Sequence, residues 1–133
     1  FTLRFTGKSR YAIIDSVTFE EGGKRYRLTG LDPVPSAKIC IYPAGGRWAC
    51  GLRARAALGG LITGRPLRCA PRGMDGEVTH VECRRNGKDL GEALVASGSA
   101  LAAPDAGRYE EAQAKARGEK AGIWSESVPA AAP

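Results

Sequence analysis

The chain predicts an α+β fold, mainly β: a five-stranded Greek-key barrel of the OB type carrying three helices. Three observations predict it. The first third alternates apolar and polar residues in short runs separated by glycine, the pattern of strands and tight hairpins. Later segments switch to helical spacing and are bounded by caps or glycines. The resulting order is three strands, a helix, two strands and two helices, which suits a small barrel interrupted by a helix between its third and fourth strands. That order excludes a doubly wound α/β sheet. At 133 residues the chain can bury roughly two-thirds of its unfolded surface in one core. Residues 1–125 are therefore expected as one domain, and residues 126–133 as a flexible C-terminal tail.

The elements follow in order. "FTLRFTG" (1–7), "YAIIDSVTF" (11–19) and "KRYRLTGL" (24–31) are expected as a three-stranded meander, with Gly22-Gly23 as the turn before the third strand. The Pro-Val-Pro turn and "IYPAGGRW" (41–48) are loop chemistry. In "ACGLRARAALGGLI" (49–62), Cys50, Ala54, Ala57, Leu58 and Leu61 share one face at helical spacing, a helix of small apolar residues that Gly64 and Pro66 stop. "PLRCA" (66–70) and "VTHVECRR" (78–85) form a strand pair, and Asn86-Gly87 makes the next turn. Asp89 caps a short helix over "LGEALVAS", ended by Gly98. Asp105 is expected to cap the last helix, "AGRYEEAQAKARGEK" (106–120), with Tyr109, Ala112 and Ala116 inward and Gly122 closing it.

Hydrophobic residues make up 43% and charged residues 26%, a globular composition, and no apolar run approaches the roughly 20 residues of a membrane helix. A net charge of +6 favours anionic partners, although the same charge also serves solubility. The four cysteines lack C-x-x-C spacing, which argues against a metal cluster. Cys40 and Cys50 flank a glycine-rich turn, and Cys69 and Cys83 fall in adjacent strand-like runs, so these are the expected bridges among the three pairings open to four cysteines. Two disulfides imply an oxidising compartment, for a bacterial chain the periplasm or exterior. Four buried thiols in a cytosolic protein are the alternative. The start at Phe1, with neither an initiator methionine nor a signal sequence, fits an exported, processed product.

Three segments carry a family resemblance over essentially the whole length. "RLTGLD" (27–32) resembles the RL-x-G-[IV]-D element of the staphylococcal nuclease (thermonuclease, SNase-like) family, "GKDLGEALVASGSALA" (87–102) resembles its DG-x-D-[LN]-x-x-LV-x-x-G-x-A segment, and "YEEAQAKARGEKAGIW" (109–124) resembles its last helix. "WACGLRARAALGGLITGRPLRC" (48–69) is similar to the cysteine-containing exported members of proteobacteria. The resemblance implies an SNase-like OB barrel and, for the family, calcium-dependent phosphodiester hydrolysis. In that chemistry two aspartates hold the cation, a glutamate activates water, and two arginines stabilise the phosphoryl charge.

Carried across residue by residue, the resemblance keeps Arg27 as the first arginine and Asp32 as the second calcium ligand. The other positions are lost. "DSVT" (15–18) replaces the family's DGDT turn, so Val17 stands in place of the metal-binding aspartate; "DPVP" (32–35) places Pro35 where the glutamate belongs; Val78 falls where the second arginine belongs. Loss of a positioned base costs about 10²- to 10⁴-fold and loss of a charge donor about 10²- to 10³-fold, non-additively. The expectation is a catalytically inactive pseudonuclease domain that acts as a binding or structural module, a subunit of a periplasmic or extracellular assembly, with a protein partner and no cofactor. Calcium enters only if the family activity persists. Two alternatives stay open: an active, altered metal-dependent phosphodiesterase using Arg27 and Asp32, and a non-catalytic nucleic-acid-binding OB domain.

Other residues have plainer readings. His80 lies in a strand and reads as structural. Asp75 and Glu77 are candidate replacement carboxylates, whereas Glu20 and Glu21 precede a turn and read as solvated. Arg27 and Asp32 also suit a structural ion pair. Basic residues, among them Lys8, are spread along the chain without a dense run; Arg27, Arg68, Arg84 and Arg85 are the candidate anion-binding set, with Arg72 near it. Aromatics for base stacking are sparse, and packing accounts for Trp48 and Trp124.

Overall fold

The computed structural model describes residues 1–6 and 10–125; Lys8 and the tail expected at 126–133 lie outside the described residues. The architecture is α+β, a curled mixed sheet with three helices, compatible with an OB-like fold. The strands are β1 (Thr2–Leu3), β2 (Tyr11–Ile13), β3 (Thr18–Glu21), β4 (Lys24–Leu28), β5 (Leu31–Pro33), β6 (Cys40–Ile41), β7 (Arg47–Trp48), β8 (Leu67–Asp75), β9 (Val78–Arg85), β10 (Lys88–Asp89) and β11 (Ala100–Ala102). The helices are α1 (Cys50–Ile62), α2 (Leu90–Ala96) and α3 (Glu110–Gly118), followed by a 3₁₀ turn over Gly122–Ser125.

Among the described residues the main sheet has seven strands where the sequence predicts five. Its order is β1-β8-β9-β4-β3-β2, with β10 on β9. The expected meander is shifted by one strand: "YAIIDSVTF" splits into β2 and β3, while "FTLRFTG" supplies only β1, paired with β8. Asp15 causes the split. Its Oδ1 accepts from the Val17 N–H at 2.8 Å, a side-chain turn that competes with the strand ladder. Gly22 and Gly23, at φ 59° and 82°, then supply the positive dihedrals of a two-residue hairpin between β3 and β4. Because β4 runs parallel to β9 with Leu28 opposite Val81, a long crossover is required, and β5 to β7, α1 and β8 provide it.

Phe5, Phe19, Leu58, Ile62, Leu67, Val81 and Leu94 form the centre of the core. Phe5 meets both Tyr11 and Phe19 edge-on, at 5.4 and 5.5 Å between ring centres, a favoured aromatic geometry. Helix α1 lies over this core through Ala54 and Leu58, as its small-residue face predicts, and through Ile62, which takes the buried place expected of Leu61; Ala57 and Leu61 are half-buried against the same core. Arg85 finishes it by donating to the carbonyls of Gly60 and Leu61, at 3.2 and 2.6 Å, a favourable place for a cation. Asp89 caps α2 by accepting from the Glu92 N–H at 3.0 Å, as expected.

The start of α3 is a correction. The helix begins at Glu110 rather than after Asp105, because Tyr109 takes a left-handed conformation, φ 66°, and turns its hydroxyl to Asp89. The segment "IYPAGGRW" is also more ordered than loop chemistry implies: β6 and β7 pair as a small hairpin, and β5 pairs with β11. Disulfides join Cys40 to Cys50 and Cys69 to Cys83, the expected pairing, and no cysteine is free. No helix among the described residues is long and apolar enough to cross a membrane.

Candidate functional site

Arg27 near the end of β4 and Asp32 in β5 are brought together by the Thr29-Gly30 turn, where Gly30 at φ 79° takes a dihedral that side chains resist. The arginine is tethered. Its Nη2 donates to the Leu31 carbonyl at 3.2 Å and stands 3.6 Å from Asp32 Oδ1. Both side chains are part-exposed, so the ion pair itself contributes under about 1 kcal/mol. They open onto a depression of about 630 Å³ whose charged and titratable lining is Arg27, Asp32, Asp75, Asp105 and His80. His80 is directly opposite Arg27 on the neighbouring strand. Electrostatically the depression sets one guanidinium against three carboxylates.

The three substituted positions do not share this depression. Val78 lines it, but Val17 is fully buried in the core and Pro35 is exposed on the loop beyond β5. The Pro35 carbonyl accepts from the Lys38 N–H at 3.0 Å, and it lies so close to Gly51 in α1 that a Cβ there would collide with it. Of the calcium ligands that the nuclease resemblance implies, only Asp32 is at the depression, and it is engaged with Arg27. Among the described residues no three His, Cys, Asp or Glu side chains are grouped to hold a metal ion. The residues present do not fit a calcium site. Glu77 is exposed beside the β8–β9 turn, and Glu20 pairs with Arg25 at 2.6 Å on the surface.

The candidate anion-binding arginines do not converge. Arg68 and Arg84 are directly opposite each other across β8 and β9, an unfavourable like-charge pairing. Arg85, one residue on, faces the other way and is committed to α1. Arg27 belongs to the depression.

Sequence reasoning missed two arrangements. The first is a polar network linking β8, β9, the α3 approach and α2. Glu82 accepts from Arg72 and Arg108, both at 2.9 Å, and these hydrogen bonds, Arg108's foremost, hold its carboxyl below the usual range. Arg108 stacks over Tyr109 at 4.7 Å. The Tyr109 hydroxyl donates to Asp89 Oδ2 at 2.6 Å; burial, and then this bond, push its pKa up. The second is the β6–β7 hairpin, whose register sets Ile39, Ile41 and Arg47 on one side and Tyr42 and Trp48, with Cys40, on the other, so that large apolar groups are exposed on both. One sequence signal marks it: between Asp32 and Asp75 there is not one carboxylate. No protein-family model matches the chain, and no curated protein matches it.

Proposed function

We propose that the chain is a catalytically inactive domain of the staphylococcal nuclease type, an OB barrel that serves as a binding or structural module in a periplasmic or extracellular assembly. The charge balance of the Arg27 depression carries this reading. An incoming phosphodiester would meet three aspartates and a single arginine already donating to Leu31 and leaning on Asp32, where phosphoryl chemistry needs preorganised positive donors. Val78 and Pro35 add neither a cation nor a base. The barrel reading draws support from five of the sheet strands, in the order β8-β9-β4-β3-β2, a meander whose last strand lies parallel to the second strand of a distal hairpin. Two disulfides are consistent with an oxidising compartment.

One observation favours the altered-enzyme reading: Asp75, His80 and Asp105 share the depression with Arg27, a set that offers carboxylates and an imidazole to a water. A nuclease assay on single-stranded DNA and RNA with calcium, magnesium and manganese separates the two. No turnover is expected with any of them. Turnover abolished by Arg27→Ala would overturn the inactive reading. The same samples titrated with oligonucleotides at low ionic strength test the nucleic-acid-binding alternative, which requires salt-sensitive binding.

A further inference from the structure

A cavity of about 350 Å³ lies between the hairpin and the far end of α2, a volume at the lower end of the range of small-ligand sites. Tyr42 and Trp48, on the same side of the β6–β7 ribbon, stack at 5.5 Å between ring centres and form its aromatic wall. Arg53, near the start of α1, lines it beside them, with its guanidinium 5.8 Å from the centre of the Trp48 ring. The opposite wall is the turn from α2 into β11, which carries Ser97 and Ser99, and the 3₁₀ turn that ends at Ser125. These walls are fixed to one another. The Cys40–Cys50 disulfide ties the hairpin to α1. The Ile123 N–H donates to the Gly98 carbonyl at 3.2 Å, and the two turns approach so closely that a Cβ at Gly98 or Gly122 would collide with backbone. A cavity shaped in advance loses little entropy when it is filled.

Its polar groups divide into a donor edge and an acceptor edge. No acidic side chain lines the cavity, and among the described residues Arg53 has neither a carboxylate nor a carbonyl partner. A guanidinium held over an aromatic ring keeps its in-plane N–H groups free to donate. The serines are the reverse case. Ser97 Oγ donates to the Leu94 carbonyl at 3.1 Å, which uses its single proton, so the donor in its 2.9 Å contact with Ser99 is the Ser99 hydroxyl. Ser125 Oγ donates to the Gly122 carbonyl at 2.8 Å. With all three hydroxyl protons committed, this wall offers a ligand lone pairs alone.

We infer that the cavity binds a sugar acid, with the carboxylate on Arg53, hydroxyls donating to Ser97, Ser99 and Ser125, and the C–H face of the ring against Tyr42 and Trp48. This deepens the binding-module reading and rests on it. The division of donors and acceptors selects the class. An inorganic anion satisfies Arg53 but sets its own lone pairs against those of the serines, and a neutral sugar leaves Arg53 without a counter-charge. An amino acid would carry its ammonium into a cavity that has no carboxylate to balance it, and an unpaired charge removed from water is costly. The required chemistry is presented equally by a free uronic acid and by the units of an acidic polysaccharide.

The test is titration of the isotope-labelled, disulfide-intact protein with D-glucuronate, read from amide and indole NMR shifts. Saturable shifts are expected at Trp48, Ser97, Ser99 and Ser125. Glucose, which lacks the charge, and acetate, which lacks the hydroxyls, should each bind about tenfold or more weakly. Arg53→Gln should weaken glucuronate by about tenfold or more, and Arg84→Ala should leave it unchanged. Ser125→Ala, which keeps Arg53 in place, should narrow the gap between glucuronate and acetate. An oligosaccharide of glucuronic acid that binds more tightly than the monosaccharide assigns the ligand to a polysaccharide, equal binding assigns it to the free sugar acid, and either supports the inference. Absence of saturable shifts with both, acetate binding as well as glucuronate, or an affinity indifferent to Arg53→Gln overturns it. So does a single-stranded oligonucleotide that shifts the same residues at lower concentration. Metal-dependent nuclease turnover lost in Arg27→Ala would instead overturn the inactive reading, and Arg27→Ala should leave the glucuronate titration as it was.

Discussion

The depression at Arg27 and the face of the β6–β7 hairpin use arginine in opposite ways. In the depression the guanidinium bonds to Leu31 and Asp32, both within its own turn, and two further aspartates stand nearby. At the hairpin Arg47 stands beside exposed Ile41 on one side of the ribbon and Arg53 beside the Trp48 ring on the other, in a stretch without a single carboxylate. A cation satisfied by its own scaffold has little left to offer a ligand. One beside uncovered apolar surface is available to a partner that supplies the missing charge. A residue that matches a motif is therefore no measure of the chemistry it performs here.

The sharpest way to break that contrast is Val17→Asp, which restores the aspartate that the nuclease resemblance implies at this position. Val17 is fully buried among Phe19, Leu28 and their neighbours, so an unpaired carboxylate there should cost about 3 kcal/mol or more. Urea unfolding checks it. Unchanged stability together with calcium binding would mean that position 17 can open onto the depression and complete a metal site there.

Next in size are the two disulfides. Each closes a short loop, with separations of 10 and 14 residues, and removal by paired Cys→Ala substitution should cost about 2 to 3 kcal/mol in either case. They should part company locally: loss of Cys40–Cys50 should speed amide exchange in the β6–β7 hairpin, whereas loss of Cys69–Cys83 should leave that hairpin protected. Equal exchange of the hairpin amides in both variants would erase the distinction between the two regions.

The smallest effect belongs to Glu82. Its folded pKa lies below the ordinary 4.5, so its contribution is present above that value and is lost as pH falls through the folded value. Glu82→Gln should therefore lower stability at neutral pH by no more than about 1 kcal/mol, and the difference should vanish in acid. Thermal melts across that range measure it. A difference that persists in acid would assign the effect to packing instead of charge.

Much of the fold is legible because its signals are local. The face of α1, the Asp89 cap and Gly98, and the placing of Cys69 and Cys83 in adjacent strands all act within a few residues. What escaped prediction was decided at a distance or by parity. Tyr109 gives up a helical conformation for a hydrogen bond to Asp89, 20 residues earlier, which no helical period reveals. Asp15 breaks a run that alternates well enough to pass for one strand. Arg84 and Arg85 looked like one patch, yet successive residues of a strand face opposite ways. At the candidate site, the spacing of Arg27 and Asp32 foretold their meeting. The inward aim of Val17 did not follow from alignment, because a motif fixes order along the chain and leaves side-chain direction to the turn.

The contact between the Pro35 carbonyl and Gly51 has a mechanical consequence. The loop after β5 forms the seat on which the first turn of α1 rests, with no room at Gly51 for even a methyl group. A backbone change at position 35 would have to carry α1 with it, so the segment behaves as masonry and not as a hinge.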